Sequence, residues 1–117
     1  MSWEVLIHPE VERWIISLTR KEYEAVVATL DALSVAGPAL GRPIVDHIKN
    51  SKFSNMKELR PLGTSLRILF AFDRNRNAVL LACGDKKHDW RIWYQRNIPI
   101  ADSRFAAHLK EMESNNG

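Results

Sequence analysis

The side chains that could do chemistry in this sequence are concentrated between residues 57 and 96. This stretch contains nine Lys and Arg residues and four acidic residues, a net charge of +5, whereas residues 1–56 and 97–117 each carry −1. A local excess of cations is the electrostatic pattern expected of a protein that binds a polyanion, nucleic acid first among them. Charge alone leaves open a solvated face that keeps the protein soluble. The candidate cations are Lys57, Arg60, Arg67, Lys86 and Lys87.

Three other residues in this stretch could transfer a proton or contact a base. His88 is the only histidine beside the cations, and its unperturbed pKa of about 6.5 suits proton transfer near neutrality. A surface histidine at a strand end is the alternative. Tyr94 could donate a proton or stack on a base, whereas Trp93 could only stack or pack. Because Trp90 and Trp93 are three residues apart, a place in the core is their more common role.

Other kinds of site find little support in the sequence. The four histidines and single cysteine lack the spacing of metal ligands, so we expect no metal and no cofactor. No glycine-rich phosphate loop precedes a helix, and no serine occupies a nucleophile elbow. Cys83 lies inside an apolar run and is predicted to be a buried small hydrophobe.

The bulk properties predict one α+β domain spanning residues 1–117. A chain of this length, 45% hydrophobic and 26% charged, suits one modest core. No stretch approaches the roughly 20 apolar residues of a membrane span, and the N-terminus lacks a signal pattern. We therefore expect a cytoplasmic protein with no membrane partner.

The basic stretch itself is predicted to form a three-stranded antiparallel meander. Strands are expected over residues 55–60, 66–72 and 78–84, with turns at 61–65 and 73–77. In the middle strand, alternate residues form an apolar stripe, so Arg67 should project from the opposite face of the sheet. The members of the stripe are Leu66, Ile68, Phe70 and Phe72.

The segments before the meander are predicted to support it. Residues 3–7 read as a first strand, followed by helices over residues 9–19 and 21–35 that form a hairpin covering one sheet face. Residues 36–54, which contain two prolines and two glycines, are predicted to be a long loop.

The C-terminal third is predicted to end in a helix. Residues 89–96 are expected to be helical or a structured loop, and Pro99 to open the last helix. The residues that share one face of that helix are Ala101, Phe105, Leu109 and Met112. The polar tail from Glu113 to Gly117 is expected to fray.

These motifs, taken in order, resemble the RelE/HigB family of toxins from type II toxin–antitoxin modules, closest to its phage-derived HigB-like branch. The resemblance rests on Lys57-Glu58-Leu59-Arg60, the Arg67 strand, the apolar strand ending in Gly84, and Lys86-Lys87 followed by aromatics. It implies a compact RelE-like fold with an N-terminal strand, helical hairpin, three-stranded meander and C-terminal helix. In many members it also implies an endoribonuclease that cleaves mRNA on the ribosome and inhibits translation.

The resemblance further implies partners and residue roles. Expected partners are mRNA, the ribosome and a cognate antitoxin of the helix-turn-helix type, whose complex with the toxin is expected to bind operator DNA. Catalytic roles fall to Arg67, Lys87, His88 and Tyr94, with Arg67 stabilising charge on the scissile phosphate. RNA-binding roles fall to Lys57, Arg60, Lys86 and Trp93. The chain departs from the best-known pattern by carrying Glu58 where some RelE members have a second lysine.

Such cleavage needs no metal, because the 2′-hydroxyl of the RNA is itself the nucleophile. It requires removal of a proton from that oxygen, stabilisation of the phosphorane, and protonation of the leaving 5′-oxygen. Two alternatives remain open: a ParE-like toxin that poisons DNA gyrase by binding alone, and a nucleic-acid-binding module without catalysis.

Overall fold

The computed structural model describes residues 2–116. In chain order the elements are β1 (Glu4–Ile7), α1 (Pro9–Ile16), α2 (Arg20–Ala36), a short 3-10 turn (Gly37–Ala39), β2 (Val45–His47), β3 (Lys57–Leu59), β4 (Leu66–Phe72), β5 (Asn77–Asp85) and α3 (Trp90–Asn116). The strands form one sheet in the order β1-β5-β4-β3-β2. Strands β2 to β5 pair antiparallel, whereas β1 runs parallel to β5 at the other edge. The predicted α+β architecture is confirmed.

The α1–α2 hairpin covers one face of the sheet. His8 caps α1 by accepting a hydrogen bond from the Glu10 amide, and Thr19 and Glu22 form a capping box at the start of α2. The predicted apolar stripe of β4 packs into this core, together with apolar side chains of both helices, among them Val11, Val26 and Leu33. Cys83 packs against the same core, and burial raises the pKa of its thiol to about 12.

Helix α3 covers the other face. Three of its four predicted apolar positions, Ala101, Phe105 and Leu109, pack in one core with Leu69, Ala71 and Leu81, and Met112 is also buried. Leu81 is an extra residue in β5, since Leu69 pairs with Ala82 and the next residue of β4 pairs with Leu80. In the described chain, no helix combines the length and apolar character that crossing a bilayer requires.

The prediction that Pro99 opens the last helix is wrong. Helix α3 begins at Trp90, where Asp89 accepts a hydrogen bond from the Ile92 amide, and it continues through Pro99. Proline removes one helical hydrogen bond to the carbonyl four residues earlier, here that of exposed Gln95, where solvent can satisfy it. The helix also extends to Asn116, so most of the tail expected to fray is helical; Gly117 lies outside the described residues.

The prediction that residues 36–54 are one long loop is also wrong. This segment contributes β2, whose three residues pair with β3 and place Asp46 directly opposite Glu58. The strand is too short to produce a visible alternation. It is held from both ends by the Arg60 amide donating to Ile44 and the Ile48 amide donating to Met56.

The turn between β4 and β5 is fastened to α3 through Asp73. Its carboxylate accepts hydrogen bonds from the backbone of Asn75 and Asn77, as turn chemistry predicts, and lies 2.8 Å from Nε2 of His108. Burial alone would raise the pKa of Asp73, but the bonds from His108 and the asparagines outweigh it and leave the pKa below its ordinary value.

Candidate nucleic-acid site

A buried carboxylate, Glu58, lies at the centre of the candidate site. It is on β3, faces α3 and is only 3% exposed. The Tyr94 hydroxyl donates a hydrogen bond to one carboxylate oxygen at 2.5 Å, and Arg60 donates two to the other, at 2.8 and 3.2 Å. Arg60 also lies 3.2 Å from Asp46 on β2. The carboxylate therefore fixes a tyrosine from α3 and an arginine that follows β3.

Arg67 lies beside this carboxylate, and not all of its guanidinium donors form hydrogen bonds. Its side chain projects toward α3, as the alternation of β4 predicts, and is 13% exposed. Its Nε is 3.8 Å from Glu58, an ion pair without a hydrogen bond, and is buried with no hydrogen-bond partner among residues 2–116. One terminal nitrogen donates to the Leu66 carbonyl at 2.7 Å. A buried donor without a partner is a costly arrangement, and only the charge of Glu58 offsets it here.

Tyr94 and Lys86 complete the set. Burial, followed by the bond to Glu58, raises the pKa of Tyr94, so its hydroxyl stays protonated as a donor. The Lys86 ammonium lies 5.8 Å from the centre of the Tyr94 ring. Burial and then the positive charge of Arg67 lower the pKa of Lys86, although Glu58 opposes the shift. Lys86 is therefore easier to deprotonate than an ordinary lysine.

Glu58, Arg60, Tyr94 and Lys86 border a groove of about 420 Å³, here called the Glu58 groove, whose wall also includes His47, Lys49 and Trp90. Arg67 lies beside Glu58 and is not part of the lining. Three cations (Lys49, Arg60, Lys86) and one acid (Glu58) line it, which gives a net charge of +2. A concave surface with this charge is suited to an anionic ligand.

The structure brings four of the predicted site residues together around Glu58. The side chains of the other four form no hydrogen bond or ion pair with Glu58, although the Trp93 ring lies edge-on to that of Tyr94, with ring centres 5.0 Å apart. Arg60, Arg67, Lys86 and Tyr94 surround Glu58, as described above. The others are Lys57, Trp93, Lys87 and His88.

Lys57 projects from the other sheet face, with its ammonium 5.5 Å from the Phe72 ring. Trp93 packs on β5, so close to Gly84 that a β-carbon there would lie 2.4 Å from the indole nitrogen. Lys87 and His88 are exposed in the turn after β5.

Sequence reasoning missed the organising role of Glu58, the contribution of Asp46, and Trp90. One signal for Glu58 was available: an acid inside a predicted strand, two residues before an arginine, in a chain with few other acids nearby. Asp46 could not be found, because its strand was not predicted. Trp90 was assigned to the core, yet it is 54% exposed at the rim of the groove.

Comparison with known proteins places the chain in a family. Residues 13–106 match the family model described as phage-derived protein Gp49-like. Over 100 residues the chain is 55% identical to HigB3 of Mycobacterium tuberculosis, covering 86% of this chain and 88% of that protein. The chain belongs to the Gp49-like HigB family. Its predicted place among the RelE/HigB toxins of toxin–antitoxin modules is confirmed.

This HigB-like chain is also similar in sequence to a second toxin and in fold to two solved structures. HigB2 of M. tuberculosis, named as a toxin like HigB3, is 46% identical over 110 residues, but the chain spans only 55% of its length. A chain of the archaeal RelE–RelB complex from Pyrococcus horikoshii superposes with a TM-score of 0.60 at 19% identity, covering 75% of this chain and 99% of that one. A chain of the RelBE2 toxin–antitoxin complex of M. tuberculosis superposes with a TM-score of 0.56 at 18% identity, covering 73% of this chain and 99% of that one. At these identities the structural matches establish the RelE-like fold.

Proposed function

We propose that this HigB-like toxin is a ribosome-dependent mRNA endonuclease that cleaves RNA through its own 2′-hydroxyl and thereby inhibits translation. The observation that most supports the proposal is the grouping of Arg67, Tyr94 and Lys86 around the buried Glu58 carboxylate. Cationic and hydroxyl donors that are fixed in place before a ligand binds suit a charge that develops only during the reaction.

The scissile phosphate is proposed to bind between Arg67 and Lys86. The planar guanidinium of Arg67 offers directed donors to the phosphorane oxygens, and Lys86 adds a positive charge once it has taken the proton of the 2′-hydroxyl. Arg60 has a different role in this scheme, because its donors already engage Glu58 and Asp46. It positions Glu58 and contributes long-range charge rather than direct contact with the phosphate.

Proton transfer is assigned to Lys86 and Tyr94. Neutral Lys86 accepts the proton of the 2′-hydroxyl, and the 2′-oxygen then forms a bond to phosphorus. As the bond from phosphorus to the 5′-oxygen breaks, the Tyr94 hydroxyl gives its proton to that oxygen, leaving a 2′,3′-cyclic phosphate and a 5′-hydroxyl. The lowered pKa of Lys86 suits the role of base. Tyr94 enters the reaction with its proton in place, although its raised pKa opposes giving that proton up. Lys87 and His88 are proposed to contact RNA outside the groove.

The proposed partners follow from the same family. They are mRNA on the ribosome and a cognate antitoxin of the helix-turn-helix type, and the toxin–antitoxin complex is proposed to bind operator DNA. The RelBE2 structure is of a toxin–antitoxin complex, and RelE–RelB is likewise a complex. These similar folds support an antitoxin for this chain.

The direct test is primer-extension mapping of mRNA after induction, together with cleavage of mRNA on purified ribosomes. Wild-type protein should cut ribosome-bound mRNA, and Arg67→Ala should reduce the rate by about a hundredfold or more, the effect of losing a preorganised donor. Arg74→Ala is the matched control, since Arg74 is exposed in the turn between β4 and β5.

Two results would overturn the proposal. Intact mRNA together with inhibited gyrase supercoiling would make the chain a gyrase poison. Cleavage by Arg67→Ala at the wild-type rate would remove Arg67 from the reaction.

A further inference from the structure

A second and larger groove continues from the Glu58 groove along α3. It has a volume of about 710 Å³, within the range of roughly 300–1,000 Å³ typical of ligand sites. The two grooves share Asn50, Trp90, Tyr94 and Ile98 in their walls. A polymer bound in the Glu58 groove could therefore extend past these shared residues into the adjoining space, here called the Trp90 groove.

The boundary between the two grooves is marked by an exposed aromatic ring. Trp90 is 54% exposed at the first residue of α3, although the helix packs its core through other residues. The centre of the Trp90 ring lies 6.4 Å from that of the Tyr94 ring. The Arg91 guanidinium lies over the Trp90 ring, 5.3 Å from its centre. An exposed indole beside a cation is the arrangement with which proteins stack a base and hold its phosphate.

The far wall of the Trp90 groove is fixed before any ligand binds. Asp102 of α3 accepts hydrogen bonds from the Ser51 hydroxyl at 2.5 Å and the Lys52 amide at 2.9 Å. Phe53 packs edge-on against Phe105, with ring centres 5.0 Å apart. These contacts hold the segment after β2 against α3, so the groove keeps its shape.

The lining chemistry fits a nucleotide. Two cations, Lys52 and Arg91, and one acid, Asp102, line the groove, a net charge of +1, and Asp102 is already engaged by the β2–β3 segment. Gln95 and Ser103 supply an amide and a hydroxyl that can read a base edge. Apolar surface from Ile98 and Pro99 suits the flat face of the base.

We propose that the Trp90 groove binds the nucleotide next to the scissile phosphate of single-stranded RNA, with its base stacked on Trp90. This inference rests on the proposed function and adds a subsite to it. Because the subsite contacts a base rather than only phosphate, it contributes to the choice of the sequence that is cut.

The test is binding of a short single-stranded RNA whose riboses are all 2′-O-methylated, so that it cannot be cleaved. Full-length wild-type protein is compared with Trp90→Phe and Trp90→Ala by fluorescence anisotropy of the labelled RNA. Trp90→Ala should weaken binding about tenfold or more, and Trp90→Phe should retain most of it, because stacking requires a flat ring. Primer extension on ribosome-bound mRNA should also show a changed distribution of cut sites for Trp90→Ala.

The control is Tyr23→Ala, which removes an exposed aromatic from α2 on the other face of the sheet and should leave both readouts unchanged. Equal RNA affinity and equal cut sites for wild type and Trp90→Ala would overturn the subsite. So would loss of antitoxin binding with RNA binding unchanged, which would make the groove a protein-docking surface. Trp90-dependent RNA binding without any cleavage by wild type would retain the subsite and overturn only the proposed function.

Discussion

Glu58 provides the sharpest test of how the site is held together. Its carboxylate is buried and engages Arg60 and Tyr94 by hydrogen bonds and Arg67 by charge. Glu58→Ala would leave Arg67, only 13% exposed, without a neighbouring counter-charge and would remove the acceptor of the Tyr94 hydroxyl. Glu58→Gln keeps the shape and one acceptor oxygen but removes the charge.

The expected loss of stability follows from these contacts. Breaking a buried ion pair by removing one partner costs about 3–5 kcal/mol. Arg60 is a third exposed and keeps Asp46, so its share is discounted for solvent screening. We therefore expect Glu58→Ala to lower the free energy of unfolding by about 3 kcal/mol, and Glu58→Gln by about 1–2 kcal/mol. For a chain of this size, 3 kcal/mol corresponds to a fall in Tm of about 12 °C.

The same variants separate RNA binding from cleavage. Glu58→Gln raises the net charge of the lining residues from +2 to +3, because one acid is removed. It should bind 2′-O-methylated RNA at least as tightly as wild type while cleaving more slowly, since the negative charge beside Arg67 and one of the two oxygens that accept from Tyr94 and Arg60 are lost.

Urea unfolding followed by circular dichroism at pH 7 measures the stability, and anisotropy measures RNA affinity. Glu24→Ala is the control, because Glu24 forms an exposed pair with Arg20 that should contribute about 0.5 kcal/mol or less. Wild-type stability in Glu58→Ala, or full cleavage by Glu58→Gln, would refute the organising role of this carboxylate.

Three further perturbations test other parts of the structure. Gly84→Ala should destabilise the fold by about 1–3 kcal/mol and slow cleavage, because the added β-carbon would lie 2.4 Å from the Trp93 indole nitrogen. Gly41→Ala is the control for urea unfolding, because a β-carbon there would meet open space. The pKa of Asp73 is lower in the folded state than in the unfolded state, so ionised Asp73 stabilises the fold. This stabilisation is fully present above the unfolded pKa of about 3.9 and is lost as pH falls through the pKa of the folded state. The stability advantage of wild type over Asp73→Asn, measured by urea unfolding at pH 6 and pH 3, should shrink at the lower pH. If Lys86 is the base, the cleavage rate should rise with pH and level off below the ordinary lysine pKa of about 10.4. Lys86→Arg should lose this rise. Identical pH profiles of the cleavage rate for wild type and Lys86→Arg would exclude Lys86 as the base.

Much of the fold was predictable because its signals are local. The apolar stripe of β4 and the helical spacing of α2 appear in the sequence with the periods that burial on one face requires. The strand β2 was not predictable, since three residues cannot establish a period and their pairing with β3 is a long-range contact. Pro99 was misread because a helix interior tolerates proline where the freed carbonyl is solvated, which depends on tertiary exposure.

The site was predictable in part for a related reason. Alternation along β4 placed Arg67 on the correct face, since facing depends only on position within one strand. It could not place Lys57, whose face depends on the register of β3 against β4. Nor could it separate Lys86, which lies over Tyr94, from Lys87, which is exposed one residue later.

The buried acid explains how cations can gather in so small a space. Arg60, Arg67 and Lys86 lie close enough that the two guanidinium groups both lower the pKa of Lys86. Without an acid their repulsion would spread them apart or discharge the lysine altogether. Glu58 offsets part of that repulsion while the groove stays positive overall, so the cations remain assembled and still attract phosphate. A lysine at position 58 would add a fourth positive charge and remove the acceptor that holds Tyr94. In this chain, therefore, the orientation of the tyrosine and the convergence of the cations depend on the same carboxylate.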